Sequence, residues 1–409
     1  MVILVINCGS SSLKFKLFDM EKDKEVLMAE GLVEEIGKDK SRFTCTTAAM
    51  KKGEKSVTDV VAHDHTEAVA VMNDMLVDSK CGVFKGKLGV DAVGHRVVHG
   101  AEKFSKSALI TPGVKSAIEE CISIAPLHNP PNLAGIEACE KVLQGIPQVA
   151  VFDTAFHQTM PKHAYLYGLP YEQYERYHIR KYGFHGTSHE YVSQRVAVLM
   201  KKDFAKLKIV TCHLGNGSSM TAVKNGQSVD TTMGFTPLEG LLMGTRTGDM
   251  DPAVLLWIID KEQMTTDDVN ALCNKKSGFK GISGVSNDLR ELLAKAAEGH
   301  ARSQLAIDIF CYRITKYIGA YAAAMGGLDA VVFTGGIGEN AVQIRQKCIE
   351  PLEFMGMVVD PAKNESKEKE KLITRGKSKA QVWVVPTNEE LMIARKTKFV
   401  VEEAGNTYR

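Results

Sequence analysis

Two segments far apart in the chain bring the same chemistry to a tight turn. Asn7–Lys14 (NCGSSSLK) sets a glycine, the hydroxyls of Ser10, Ser11 and Ser12, and Lys14 around one tip. His213, Leu214, Gly215, Asn216 and Gly217, followed by Ser218 and Ser219, repeat the theme with an imidazole and an amide. Backbone N–H groups, hydroxyls and a lysine so arranged are donors suited to phosphate oxygens. One such tip alone is also what an ordinary polar hairpin turn looks like. Two of them, opposed across a cleft, can hold a polyphosphate from both sides. Neither is a Walker A loop, which needs GxxxxGK[ST] leading into a helix.

A third glycine-rich stretch, GGIGEN (Gly335–Asn340), follows the apolar run AVVFT. Its loose G-x-G-x-x-A match over Gly336–Ala341, with Asp360 beyond it, raises a dinucleotide site. The N-terminal βαβ unit of such folds is missing, because this chain begins with a hairpin. A flat glycine turn instead suits an adenine or ribose approached closely by backbone. Arginine and histidine then recur beside glycines: His95, Arg96 and His99 in GHRVVHG, His128 in PLHNPPN, His185 and His189 in YGFHGTSH, and Arg246 in MGTRTGDMD. Exposed turns of this type let a ligand approach a charged side chain. The four-residue spacing of His95/His99 and His185/His189 raises zinc, against which stand Gly186 and the lack of a third clustered ligand. Asp153 ends the run VAVFD, a common catalytic placement in α/β sheets and equally a helix cap.

The elements that must position these groups are mixed α/β. VILVI, a turn and the alternating LKFKLFD read as one hairpin. KIVTC, the HLGNGSS tip and MTAVKNGQSVD, with its Asn225-Gly226 turn, read as a second. Strand, Gly/Ser tip, strand occurring twice implies an internal duplication. Helices are expected over 64–77, 112–124, 131–143, 188–200, 251–260, 266–275 and 302–325, and strands at DAVGHRVV, PQVAVFD and AVVFT. Thr387 or Asn388 caps a C-terminal amphipathic helix. The stretch 34–56 and the charge run 363–372 read as solvated surface.

Composition limits the function classes. The 409 residues, 44% hydrophobic and 24% charged, allow two domains. Lys plus Arg at 51 against Asp plus Glu at 49 gives no field to gather nucleic acid or anionic lipid. Nine scattered cysteines without a CxxC pair argue for a reducing cytosol rather than a disulfide framework. No run approaches a membrane span.

NCGSSSLK, GHRVVHG, PLHNPPN, FDTAFHQTMP, RKYGFHGTSH, HLGNGSS, MGFTPLEGLLMGTR, GGIGEN and PTNEE, in this order from residue 2 to about 396, resemble the acetate kinase family. The resemblance implies the duplicated fold of the sugar kinase, Hsp70 and actin superfamily with a nucleotide cleft between its domains. It implies a first domain over 1–153 plus 388–409, and a second over 154–387 carrying most of the nucleotide site. It also implies a homodimer. By motif, Asn7 and Glu389 position Mg2+ (or Mn2+), and Ser10, Ser12 and Lys14 approach phosphate. His213–Gly217 form a second phosphate loop, and Gly336, Ile337, Gly338, Glu339 and Asn340 with Asp288, Leu289 and Arg290 hold adenosine. The family often has phenylalanine where Leu289 stands. Gly336 and Ile337 leave the adenosine pocket open, unlike bulkier pyrophosphate-using relatives. Val98, Leu127, Phe184 and Pro237 form the pocket for the acetate methyl, and valine at 98 favours acetate over propionate.

The implied reaction is reversible transfer of the ATP γ-phosphoryl group to acetate, giving acetyl phosphate and ADP. A carboxylate acceptor is ionised near pH 7, so the site must neutralise charge rather than supply a strong base. Arg96 is expected to bind the carboxylate, Arg246 and His185 to donate to the equatorial oxygens of an in-line transition state, and His128 to assist. Asp153 is expected to orient Arg96 or the metal's water shell. Rival readings are a propionate or butyrate kinase of the same fold, an actin- or Hsp70-like ATP switch, and a nicotinamide dehydrogenase.

Overall fold

The computed structural model describes residues 1–21, 24–48, 50–51, 53–77 and 82–407. It divides into two compact units, Met1–Ala155 with Asn388–Arg409, and Phe156–Thr387.

The first unit is built on strands β1 (Val2–Gly9), β2 (Ser12–Glu21), β3 (Lys24–Glu34), β4 (Ser41–Thr47), β5 (Ser56–Val60), β6 (Ala92–Val97), β7 (Ala108–Leu109) and β8 (Gln148–Phe152). They form one sheet in the order β5-β4-β3-β2-β1-β6-β8-β7. β1 pairs antiparallel with β2, bringing Gly9 opposite Ser12, and parallel with β6. β1 reads as a near-continuous apolar run because both faces are covered. Helices His65–Val77 and Asn129–Val142 close one face over Leu4, Ile6, Leu13 and Phe15. The C-terminal helix Glu389–Thr407 packs on β1, β2, β6 and β8. Its close approach needs a glycine, since a Cβ at Gly94 would lie 2.3 Å from Thr397 Oγ1 and 2.8 Å from Ile393 Cγ2. That seating brings Glu389 and Glu390 to the ends of the central strands.

The second unit repeats the plan with β9 (Lys208–Leu214), β10 (Ser218–Lys224), β11 (Gln227–Thr231), β12 (Ala330–Thr334), β13 (Lys371–Leu372) and β14 (Gln381–Val384). Their order is β11-β10-β9-β12-β14-β13. An antiparallel meander followed by two parallel strands on the far side of the first gives β11-β10-β9-β12-β14, matching β3-β2-β1-β6-β8 strand for strand. The duplication read from two short hairpins therefore extends to whole sheets. AVVFT is apolar throughout because Val331 and Phe333 face the layer of the long helix Ala301–Met325, while Ala330 and Val332 face that of Gly186–Met200.

Three local expectations are corrected. Ser41–Thr47 is a strand rather than solvated surface: Ser41, Phe43, Cys45 and Thr47 are buried in strict alternation, a period disguised by threonine and serine on the inward face. GGIGEN is not a flat turn but a short helix, Gly335–Asn340, begun by Gly335 at φ 75°. Within the charge run, Lys371 is buried, its ammonium donating to the carbonyls of Asn364 (3.0 Å) and Ser366.

Candidate active site

In the first unit Arg96 lies on β6 and Asp153 follows β8, neighbouring parallel strands. The guanidinium grips the carboxylate through Nε (3.0 Å) and Nη2 (2.6 Å), both to Oδ2. Asp153 is 2% exposed and Arg96 23%, so the arginine presents the accessible edge of a pair anchored from below. The electrostatics around it are crowded. Glu390 accepts from Lys14 and lies 3.2 Å from Lys16 Nζ. The Glu389 carboxyl is pushed up to about 7: burial is the largest cause, Arg96 and Lys14 oppose it, and Asp153 and Glu390 add to it.

The GHRVVHG and PLHNPPN motifs are joined by two asparagines that sequence reasoning passed over. Asn132 Oδ1 accepts from the Val98 N–H (3.0 Å), and its amide donates to the Cys8 carbonyl (3.1 Å) beside the hairpin tip. Asn129 exchanges hydrogen bonds with the backbone of His99. Both are buried, which fixes the turn after Arg96 to the turn after Asn7. His128 occupies the N-cap position of Asn129–Val142. Val98 is buried, whereas Leu127 is 68% exposed. Asn7 and Ser12 are half-buried and Ser10 is exposed at the tip. His95 belongs to the frame: buried, 2.6 Å from Gln148 Oε1, it is held down at about 4 by desolvation. His99 Nδ1 accepts from the Ala101 N–H.

In the second unit the glycines of the β9–β10 tip carry the site. Gly215 and Asn216 line a cavity of about 480 Å3 completed by Asp288, Leu289, Arg290, Leu293, Gly336, Ile337, Asn340, Ala341 and Gln343. Space of this size holds a nucleoside. Asp288 caps the helix Leu289–Ala297 and pairs with Arg290 at 2.6 Å, and Leu289 is buried in the wall. Gly338 and Glu339 lie behind the lining, their carbonyls each accepting from the buried Arg345 at 2.9 Å. Arg345, which carried no motif signal, thereby pins the Gly335–Asn340 helix. The Glu339 carboxylate accepts from the Gly335 N–H (3.0 Å).

Gly217, the last residue of that tip, abuts Arg246 and His185: a Cβ there would meet Arg246 Nη1 at 3.5 Å and His185 Cε1 at 3.6 Å. Arg246 donates to the Pro237 carbonyl (3.2 Å) and stays a cation although burial pulls its pKa down. His185, at φ 56°, heads the helix Gly186–Met200, with its ring stacked 4.3 Å from that of His213. Phe184 is buried, and its carbonyl is 3.0 Å from His157 Nε2. His189 has both ring nitrogens occupied, Nδ1 2.7 Å from Thr211 Oγ1 and Nε2 2.7 Å from Ser219 Oγ. The His185/His189 spacing thus serves a hydrogen-bond network.

Two mixed sheets of the same strand order, each with a Gly/Ser tip at the end of its first strand, define the duplicated fold of the sugar kinase, Hsp70 and actin class. Within that class, the chain belongs to the acetokinase family, whose model matches residues 2–395. It is 54% identical over 403 residues to an acetate kinase of Desulfitobacterium hafniense, covering 98% of this chain and 100% of that one. Among solved structures, Porphyromonas gingivalis acetate kinase superposes with a TM-score of 0.92 at 50% identity, covering 98% of this chain and 99% of that one. A propionate kinase from Francisella tularensis reaches 0.88 at 42%, with coverages of 98% and 99%. The chain is accordingly an enzyme, a kinase.

Proposed function

We propose that this kinase transfers the γ-phosphoryl group of ATP directly to the carboxylate of acetate, reversibly and with magnesium, giving acetyl phosphate and ADP. The observation that carries the reading is the Gly215–Gly217 tip, which borders a nucleoside-sized cavity and abuts the Arg246–His185 pair. A tip with both neighbours joins a base-binding space to cationic and hydrogen-bonding groups suited to a terminal phosphate.

The second unit holds the nucleotide. Gly336, Ile337, Asn340 and Asp288–Arg290 enclose adenosine, Gly338 and Glu339 support that wall, and the backbone of His213–Gly217 cradles the phosphates. Arg246 and His185 donate to the oxygens of the transferring group as charge develops on them. The first unit supplies the acceptor and metal groups. Arg96, held by Asp153, binds acetate through its accessible edge. Both carboxylate oxygens of Asp153 accept from that guanidinium, which supports orientation as its role. Ser10, Ser12 and Lys14 contact phosphate, and His128 assists. Each unit by itself carries apolar side chains suited to the methyl group, Val98 and Leu127 in the first and Phe184 and Pro237 in the second.

Glu389 and Asn7 would hold magnesium. The elevated Glu389 carboxyl, amid Asp153 and Glu390, fits a dication that takes one or two carboxylates and completes its shell with phosphate oxygens and water. When bound, the ion neutralises phosphate charge and so lowers the barrier to approach of an anion. We place the enzyme in the cytoplasm as a homodimer. The uncovered apolar helix Pro252–Glu262, with Leu256 69% and Trp257 63% exposed, supports self-association.

Trapping acyl phosphate with hydroxylamine tests the reading, in magnesium ATP with acetate, propionate, butyrate or no acid. Greatest kcat/KM with acetate is the expected result. Preference for propionate, the acid in the name of the Francisella neighbour, would transfer the assignment to that substrate. ATP hydrolysis without any acyl phosphate would overturn it.

A further inference from the structure

Behind His185 lies a continuous line of fully buried polar side chains. Thr211 Oγ1 is 2.7 Å from His189 Nδ1, His189 Nε2 is 2.7 Å from Ser219 Oγ, and Ser219 Oγ is 2.8 Å from His185 Nδ1. Thr211, His189 and Ser219 are each 0% exposed. Thr211 and Ser219 lie on adjacent antiparallel strands, β9 and β10, so the sheet fixes both hydroxyls. His189, one helical turn beyond His185, bridges them. Each hydroxyl has a single proton, so the line has one of two polarities, and the polarity decides which nitrogen of a neutral His185 carries hydrogen.

We propose that Thr211, His189 and Ser219 are positioning residues that hold His185 as the neutral Nε2–H tautomer, ready to donate to a phosphoryl oxygen. Thr211 donates to His189 Nδ1 at 2.7 Å, its nearer partner, rather than to the Thr221 carbonyl at 3.4 Å; His189 Nε2–H donates to Ser219, and Ser219 donates to His185 Nδ1. The remaining proton of His185 then stands on Nε2. The opposite polarity would leave a lone pair on Nε2, which repels phosphate oxygens unless the ring gains a second proton. That protonation is opposed by its surroundings. Arg246 flanks the same glycine, His213 stacks on the ring, and His157 and His189 stand behind it with their own ring nitrogens engaged. A neutral donor also suits the ground state, because it needs no proton from solvent before it can donate to a phosphoryl oxygen. Burial holds His189 well below the usual imidazole range, so the line carries orientation without charge.

This inference rests on the reading of His185 as a phosphoryl donor, and a double-mutant cycle separates the two. His185→Gln should lower kcat about 100-fold; undiminished turnover there would overturn the phosphoryl-donor reading itself and the relay with it. Ser219→Ala should lower kcat about tenfold with the KM for ATP within about twofold, and His189→Gln should do the same. In the His185→Gln background, Ser219→Ala should cost nothing further; an equal tenfold loss there would overturn the relay while leaving the donor reading intact. Nitrogen-15 spectra of histidine-labelled enzyme at pH 8 should place the His185 proton on Nε2 in the wild type and divide it between both nitrogens in Ser219→Ala. A wild-type proton on Nδ1 would overturn the proposed polarity. Thermal melts within about 2 °C of the wild type make a kinetic loss attributable to the ring rather than to the fold.

Discussion

Replacing Asp153 with asparagine asks whether this carboxylate works through Arg96 or on the reacting atoms. In the wild type Oδ2 accepts from both Nε (3.0 Å) and Nη2 (2.6 Å) of Arg96, and the carboxylate is 2% exposed. Asparagine keeps the shape and one oxygen but loses the charge, and its NH2 cannot accept from Arg96 Nε as Oδ1 does at 3.3 Å. A hydrogen bond to a charged partner contributes about 1.5–3 kcal/mol. At 1.36 kcal/mol per factor of ten, this is about 10- to 150-fold in kcat/KM. The loss should fall mainly on the acetate KM, since the guanidinium that holds the acceptor loses its anchor, and the KM for ATP should stay within about twofold. Steady-state hydroxamate assays with acetate and ATP varied in turn provide both values. An unchanged acetate KM beside a kcat collapse of about 10⁴-fold would refute the argument and make Asp153 a proton-transfer group. No change in either constant would refute it as thoroughly.

Other perturbations have equally definite outcomes. Arg246→Ala removes the cation beside Gly217 and should lower kcat by about two orders of magnitude with little change in ATP affinity by calorimetry. Nothing lies within 4 Å of a Cβ built on Gly336, which lines the cavity, so Gly336→Leu should fold normally yet weaken ATP binding about tenfold or more. Glu389 is pushed from 4.5 up to about 7, which means that folding favours its protonated form. The penalty is absent below pH 4.5, grows between pH 4.5 and 7, and is fully present above 7 at up to about 3 kcal/mol. Metal-free Glu389→Gln should therefore melt higher than wild type at pH 8 and almost level with it at pH 5. An equal gain at both values would contradict the assigned shift.

Much of the fold was legible in the sequence because contiguous Gly/Ser motifs mark the ends of its central strands. The two Gly/Ser tips announced the duplication, and of the second tip Gly215 and Asn216 line the cavity while Gly217 abuts Arg246 and His185. What sequence reading missed depends on side chains that gain meaning only from partners distant in the chain. Asn129 and Asn132 stand within a quoted motif, yet only the tertiary structure ties them to the backbone of residues 8, 98 and 99. Arg345, on the helix Val342–Ile349, stands in none of the motifs, yet it is completely buried and serves the carbonyls of Gly338 and Glu339. His189 looked like half of a metal pair at four-residue spacing, but two β-strand hydroxyls occupy it. Ser41–Thr47 escaped because threonine and serine on the inward face hid the alternation that hydrophobic residues normally declare.

The central claim is that a carboxylate oxygen attacks the γ-phosphorus. It is tested most directly by phosphorus-31 spectra of the product formed from magnesium ATP and acetate labelled with oxygen-18 in both carboxylate positions. Direct transfer predicts an acetyl phosphate resonance shifted by one bridging oxygen-18, appearing in step with ADP. Unlabelled inorganic phosphate in step with ADP, with no acyl phosphate signal, would contradict it.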